Sequence, residues 1–215
     1  TRPVQSVMII KNVKVFTEDK TFEPGAIGIE NGIFKNNLFD SGEIIDGEGC
    51  YAIPGLIDVH FHGCMGYDFC DGTKEAIEKI AEYEASQGVT TIVPATMTLS
   101  EEELMKIMAN GGTYENKEGA AVLAGINMEG PFICSKKKGA QAATHIHKPD
   151  VAMFRRLQEA ANGLIRLVDI APEVEGAMKF ISELKDEVHI SFAHTTADYD
   201  TAKTGYALGA CHATH

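Results

Sequence analysis

The chain has 215 residues, 44% hydrophobic and 23% charged, which is the balance of an ordinary globular protein. A formal net charge of −12 argues against nucleic acid or an anionic membrane as partner, because both call for a basic face. No apolar run reaches the length of a membrane span, and Thr1-Arg2-Pro3-Val4-Gln5 lacks the apolar core of a signal peptide, so a cytoplasmic location is expected.

Residues 1–50 read as short strands and turns. Val7-Met8-Ile9-Ile10 and Val13-Lys14-Val15-Phe16 flank Lys11-Asn12, and Asn31-Gly32 is a strong hairpin signal because both residues tolerate positive φ. After Tyr51 the pattern becomes alternating strands and helices. The strands are expected at Ala52 to His62, Thr90 to Thr96, Ala120 to Glu129, Leu164 to Ala171, His189 to His194 and Ala210 to His215. The helices between them carry local signals: Thr73 as N-cap of the first, Ser100 with Glu103 as a capping box on the second, and Asn162-Gly163 closing the third. The fourth and fifth are expected over Val174 to Asp186 and Asp198 to Leu208.

Alternating βα units predict a parallel sheet with helices outside it. Six strands are too few for the eight of a closed barrel, and the sixth has no helix after it. The expected fold is therefore α/β, an incomplete (β/α)8 TIM-type barrel of about six units. The expected division is a small β-sandwich part over 1–50 and a barrel over 51–215, truncated after its sixth strand.

Polar residues gather at the strand ends. His60 and His62 end the first strand, Glu129 the third, His194 the fifth and His215 the sixth. Imidazoles and a carboxylate meeting at one mouth are a ligand set for a divalent metal, Zn or Fe, as one or two ions. Such an ion would let the site hydrolyse an amide. Asp58 shares the face of the histidines by strand parity and is read as a partner for a ligand imidazole.

Other polar residues receive plainer readings. His145 and His147 repeat the spacing in a loop without a strand beneath them, and Lys136-Lys137-Lys138 reads as a solvated loop. His212 is out of phase with His215 and is expected to face the outer helices or to lie at the strand's start, while His189 starts its strand far from the chemistry. Glu173 follows the fourth strand near the mouth. The five scattered cysteines form no Cys-x-x-Cys pair, so Cys64 and Cys70 are read as reduced packing residues.

Pro54-Gly55-Leu56-Ile57-Asp58-Val59-His60-Phe61-His62-Gly63 resembles the signature of the amidohydrolase superfamily. Within it, Met128-Glu129-Gly130-Pro131-Phe132, Lys138-Gly139-Ala140-Gln141, Ala193-His194-Thr195 and Ala213-Thr214-His215 are similar to N-acetylglucosamine-6-phosphate deacetylases. The resemblance implies that Glu129, His194 and His215 hold the main metal. It implies that His60 and His62 join Glu129 around a second, and that Gln141 stands where other members place a substrate-contacting histidine. It further implies removal of the N-acetyl group from N-acetylglucosamine 6-phosphate, giving glucosamine 6-phosphate and acetate, by a homodimer. The family's essential Asp lies on the eighth strand and its phosphate-binding residues follow the sixth; neither falls within residues 1–215. Dihydroorotase- and hydantoinase-like relatives use a lysine on the fourth strand, and Leu167 to Glu173 contains none. Two alternatives stay open: another amidohydrolase acting on a different amide or amidine, and a catalytically incomplete metal-binding fragment.

Overall fold

The computed structural model describes residues 7–35 and 41–215, so the N-terminal stretch 1–5, read above as lacking a signal peptide, lies outside the described residues. It divides into two compact units, the first ending at Gly55 and the second running from Leu56 to His215.

The first unit is built on β1 (Val7–Phe16), which pairs antiparallel with β2 (Phe22–Glu30); β3 (Ile33–Lys35) continues the sheet beyond β2. β4 (Glu43–Asp46) and β5 (Tyr51–Ala52) pair with β1 in parallel. Val7–Ile10 and Val13–Phe16 are thus one strand and not two. The register shifts between Ile10 and Val13, and Asn12 at φ 54° absorbs the irregularity. Asn31 and Gly32, at φ 52° and 75°, make the expected tight turn between β2 and β3.

In the second unit the expected first strand is much shorter. Tyr51 and Ala52 belong to the first sheet, and only β6 (Leu56–Asp58) pairs with the barrel strands. Pro54 explains the break, since it has no N–H to offer a ladder. His60 and His62 consequently lie beyond the strand's end. A hairpin of β7 (Gly63–Cys64) and β8 (Tyr67–Asp68) follows directly.

The βα alternation then proceeds through α1 (Lys74–Ser86), β9 (Val89–Ile92), α2 (Glu101–Gly112), β10 (Val122–Leu123) and β11 (Ile126–Glu129). It continues with α3 (Val151–Ala160), β12 (Ile165–Ile170), α4 (Ala177–Leu184), β13 (His189–Phe192), α5 (Tyr199–Leu208) and β14 (His212–Ala213). β10 and β11 are two halves of the expected third strand, interrupted at Ala124-Gly125. One half pairs with β9, whose other neighbour is β6, and the other with β12, which continues to β13 and β14. All these pairings are parallel, and a bridge between Ala95 and Asn127 joins the two halves of the arc. Sequential parallel strands with helices between them are the mixed α/β pattern of a partial barrel.

The local helix signals act as expected. Thr73 Oγ1 accepts from Ala76 N, and Ser100 with Glu103 forms the capping box. α4 starts later than the sequence pattern suggests, because Gly176 adopts φ 93° just before it. The first four helices each turn an apolar stripe inward: Ile77 and Ile80, Leu104 and Met108, Phe154 and Leu157, Phe180 and Ile181 are all essentially buried. Phe180 packs on both Phe132 and Phe154, with ring centroids 5.1 and 6.0 Å apart. Each such ring removed from water stabilises by about 1.5–3 kcal/mol, which fixes the strands whose ends carry the polar residues. Among the described residues no helix is long and apolar enough to cross a membrane.

Candidate metal centre

Glu129 ends β11 with its side chain only 1% exposed, and its two oxygens face different histidine pairs. Oε1 lies 2.7 Å from His194 Nε2 and 3.1 Å from His215 Nε2. Oε2 lies 3.1 Å from His62 Nε2 and 3.5 Å from His60 Nε2. In each trio, Glu129–His194–His215 and His60–His62–Glu129, the candidate ligand atoms all fall within 4.8 Å of one another. The rings meet edge to face: His215 stands 5.0 Å from both His60 and His194.

The residue after Glu129 permits this approach. Gly130 sits at φ 82°, and a Cβ there would collide with Thr98 Oγ1, whose hydroxyl faces Glu129 O. His194 is itself unusual, a non-glycine residue at φ 47° immediately past β13. That conformation costs on the order of 1 kcal/mol and needs support. The support is Glu173, whose carboxylate accepts from Thr195 Oγ1, Thr196 N and Thr196 Oγ1 and so clamps the segment after His194.

Two rings are held in the form a cation needs. His194 Nδ1 is 2.7 Å from Lys137 O and His62 Nδ1 is 3.2 Å from Ala95 O. A carbonyl can only accept, so Nδ1 carries a hydrogen, and Nε2, the nitrogen turned to Glu129, is the one that can give a lone pair to a cation. Burial pushes the Glu129 carboxyl up, but the facing imidazoles of His60, His62 and His194 outweigh it and hold the group far below the usual carboxylate range. The Glu129 carboxylate raises His60 and His62 in turn. Glu129 Oε2 and His60 Nε2 are buried without a hydrogen-bond partner. Imidazole nitrogens around a buried, ionised carboxylate with such atoms left over fit a divalent cation in chemistry and in spacing.

The structure therefore brings together His60, His62, Glu129, His194 and His215. Gln141 is buried beside them, but its Oε1 accepts from Thr98 N at 2.6 Å, so its carbonyl end braces the backbone near Gly130. Asp58 corrects the expectation made for it: its Oδ1 accepts from the His60 backbone N–H at 3.0 Å, not from an imidazole. His212 opens β14, the second of its two expected places, and its Nδ1 meets Ser191 Oγ at 2.9 Å, with Ser191 in turn meeting Thr214. His145 and His147 belong to neither trio. Lys138 turns its ammonium to the carbonyls of Gly139 and Gln141. All five cysteines are free, and burial pushes the Cys70 thiol up to about 12, which makes it a poor metal ligand.

Two residues beside the centre escaped the sequence reading. Asp169, fully buried on β12, accepts from Thr214 Oγ1 at 2.9 Å and lies 3.9 Å from His60 Nδ1; burial above all pushes it up to about 6. Asn127, fully buried on β11, contacts His60 from the other side at 2.9 Å. The available signal was a carboxylate inside the otherwise apolar run Leu167-Val168-Asp169-Ile170.

No protein-family model matches the chain. It is 31% identical to an N-acetylglucosamine-6-phosphate deacetylase of Bacillus subtilis over 97% of its own length and 55% of the relative's. It is 29% identical to one of Bos taurus, over 96% and 52%. In structure it is similar to the Mycobacterium smegmatis N-acetyl-D-glucosamine-6-phosphate deacetylase solved with N-acetyl-D-glucosamine-6-phosphate. That match has a TM-score of 0.84 at 25% identity and covers 98% of this chain and 55% of that one. The Pasteurella multocida enzyme shares the fold at the same TM-score. The chain spans about half the length of the curated relatives it matches. By sequence and by fold it is homologous to the N-terminal portion of N-acetylglucosamine-6-phosphate deacetylases.

Proposed function

We propose that this chain is the metal-holding part of a hydrolase that removes the acetyl group from N-acetylglucosamine 6-phosphate, releasing glucosamine 6-phosphate and acetate. The observation that carries the reading is the division of Glu129 between two histidine pairs, one on each carboxylate oxygen. Glu129, His194 and His215 would hold one divalent ion, zinc or iron, and His60, His62 and Glu129 a second. When bound, such an ion supplies Lewis acidity, polarising an amide carbonyl and lowering the pKa of water to about 7. Residues 51–215 carry this chemistry, with residues 1–50 as part of a side domain.

The chain's own residues prepare the site for that role. Lys137 O and Ala95 O keep the Nε2 lone pairs of His194 and His62 directed inward. Glu129 stays ionised and supplies a fixed negative charge at the centre. Gln141, locked to Thr98, borders the site where the acetamide would lie, and its amide nitrogen remains a donor. Glu173 is committed to Thr195 and Thr196, so it serves the segment after His194 and not proton transfer. By the resemblance, the proton-accepting carboxylate and the phosphate contacts are not among residues 1–215. The acidic composition argues against nucleic acid or an anionic membrane as partner, and the resemblance suggests a cytoplasmic homodimer acting on a small sugar phosphate.

Acetate release from N-acetylglucosamine with and without its 6-phosphate, by the hydrolase of which this chain is the metal-holding part and with added zinc or iron, tests the reading. A relative of Escherichia coli O157:H7 named N-acetylgalactosamine-6-phosphate deacetylase, 24% identical, makes the galacto epimer the comparison substrate. Preference for the phosphorylated gluco sugar is the expected result. Equal or better turnover of the galacto epimer would reassign the substrate. Failure of a folded protein to bind either metal would overturn the reading altogether.

A further inference from the structure

His60 is held differently from His62 and His194. Its Nδ1 faces not a carbonyl but the Asn127 amide nitrogen, at 2.9 Å, and that same nitrogen donates to Val59 O at 3.2 Å. Both amide hydrogens are thereby used, and turning the amide end for end would set its oxygen against the Val59 carbonyl. Nδ1 is therefore an acceptor, and the neutral ring carries its hydrogen on Nε2. An Nε2–H has no lone pair to give a cation. The other tautomer needs an acceptor for Nδ1–H, and one stands 3.9 Å away: Asp169 Oδ2, buried and without a hydrogen-bond partner. The rest of that carboxylate is fixed, since Oδ1 accepts from Thr214 Oγ1.

We propose that Asn127 and Asp169 are opposed positioning residues that set the tautomer of His60, and so decide whether the His60–His62–Glu129 group takes a divalent cation. Asn127 holds the Nε2–H form, which does not ligate. Asp169 holds the Nδ1–H form, which does, once the ring closes the gap to a normal distance of about 2.9 Å. The exchange balances: Nε2 loses one proton to solvent, Nδ1 gains one, and the ring stays neutral. The inference rests on the reading of the Glu129 cluster as a metal centre, and it explains how one chain could hold one ion readily and a second only conditionally.

The test is a zinc titration of chelator-treated protein, followed by calorimetry and by the imidazole 15N spectrum, with the His60 signals assigned by their loss in His60→Gln. His60 should be Nε2–H without zinc and Nδ1–H at saturating zinc. Asp169→Asn should weaken the His60–His62–Glu129 group about 10- to 100-fold, the usual effect of losing an outer partner of a ligand histidine. Asn127→Ala should tighten it, and neither change should move the His194–His215 group. Damage to the strand ends alone would weaken binding in both variants, and that result overturns the proposal. A His60 tautomer unchanged by zinc in the unaltered protein overturns it without any variant. Zinc that never binds overturns the metal reading itself and is recognised before any variant is made.

Discussion

His194, His215 and His60 each stand two residues past a strand, β13, β14 and β6, whereas His62 stands four past β6, just before the β7–β8 hairpin. The His194–His215 pair meets the Glu129 carboxylate at 2.7 and 3.1 Å, the His62–His60 pair at 3.1 and 3.5 Å. His194 and His62 each face a backbone carbonyl at Nδ1, while His60 alone of the three has an amide hydrogen in that place. Two sets of similar ligands sharing one carboxylate are therefore unequal in preparation. Rigid supports and outer hydrogen bonds, more than the identity of the ligands, separate them.

The largest effect should come from the residue the pairs share. Glu129→Ala removes the anion from both, and zinc content should fall from its full value to none, a loss of more than about 100-fold in affinity. Retention of full zinc by the folded variant would show that the two pairs do not depend on Glu129.

The comparison itself is tested one step down. His194→Ala should abolish binding at the tighter group, while His60→Ala should leave that group intact and remove only weaker zinc. A calorimetric titration separates the two, with an expected difference of at least about tenfold in the affinity that remains. Equal losses in the two variants would mean that the pairs work as one unit.

The inequality of the pairs was only partly legible in the sequence. The residues were, because a histidine or glutamate closing an apolar run is a local pattern, and so were Thr73, Ser100 with Glu103, and Asn31-Gly32, each set by neighbours within a few positions. What surrounds His60 was not. Asn127 and Asp169 are brought beneath it by the pairing of β11 with β12, in which the register shifts between Ile126 and Asn127. No period along either strand reports such a shift. Asp58 was misread for a related reason. Parity placed its side chain with the imidazoles, but the strand stops at Asp58, and the carboxylate folds back onto the His60 N–H instead.

Acidity should widen the gap between the pairs. The hydrogen bond to Glu129 raises both His60 and His62, so protons compete with a cation there at higher pH than at an ordinary imidazole of about 6.5. Affinity at this group should fall as pH drops, beginning above that value and steepening toward two decades per pH unit if both rings must be deprotonated. The stability of chelated protein should respond in the opposite sense. A raised histidine pKa favours the folded state at low pH, and that contribution is lost as pH rises through the raised values. Zinc affinity measured between pH 5.5 and 8 by competition with a chromophoric chelator checks the first trend; a flat profile would break it.

The smallest effect belongs to Asp169, and its sign follows from burial. The unfolded carboxyl titrates near the ordinary aspartate value of 3.8 and the folded one at about 6. Below the first value both states are protonated and the group is neutral in the balance. Between the two the folded state holds the proton more tightly, so stability falls as pH rises, and above about 6 the whole penalty is in place. Two pKa units correspond to roughly 3 kcal/mol, with the facing His60 already counted in the folded value. Asn at this position keeps an oxygen for Thr214 but does not titrate. In chelated protein, Asp169→Asn should therefore gain on the unaltered chain by that amount between pH 4 and pH 7, measured by urea unfolding. The same change weakens zinc binding in the tautomer argument, so one residue should stabilise the chelated fold and impair the loaded site. A stability difference independent of pH would mean that Asp169 is charged in the fold at no cost, and that something other than His60 already satisfies its second oxygen.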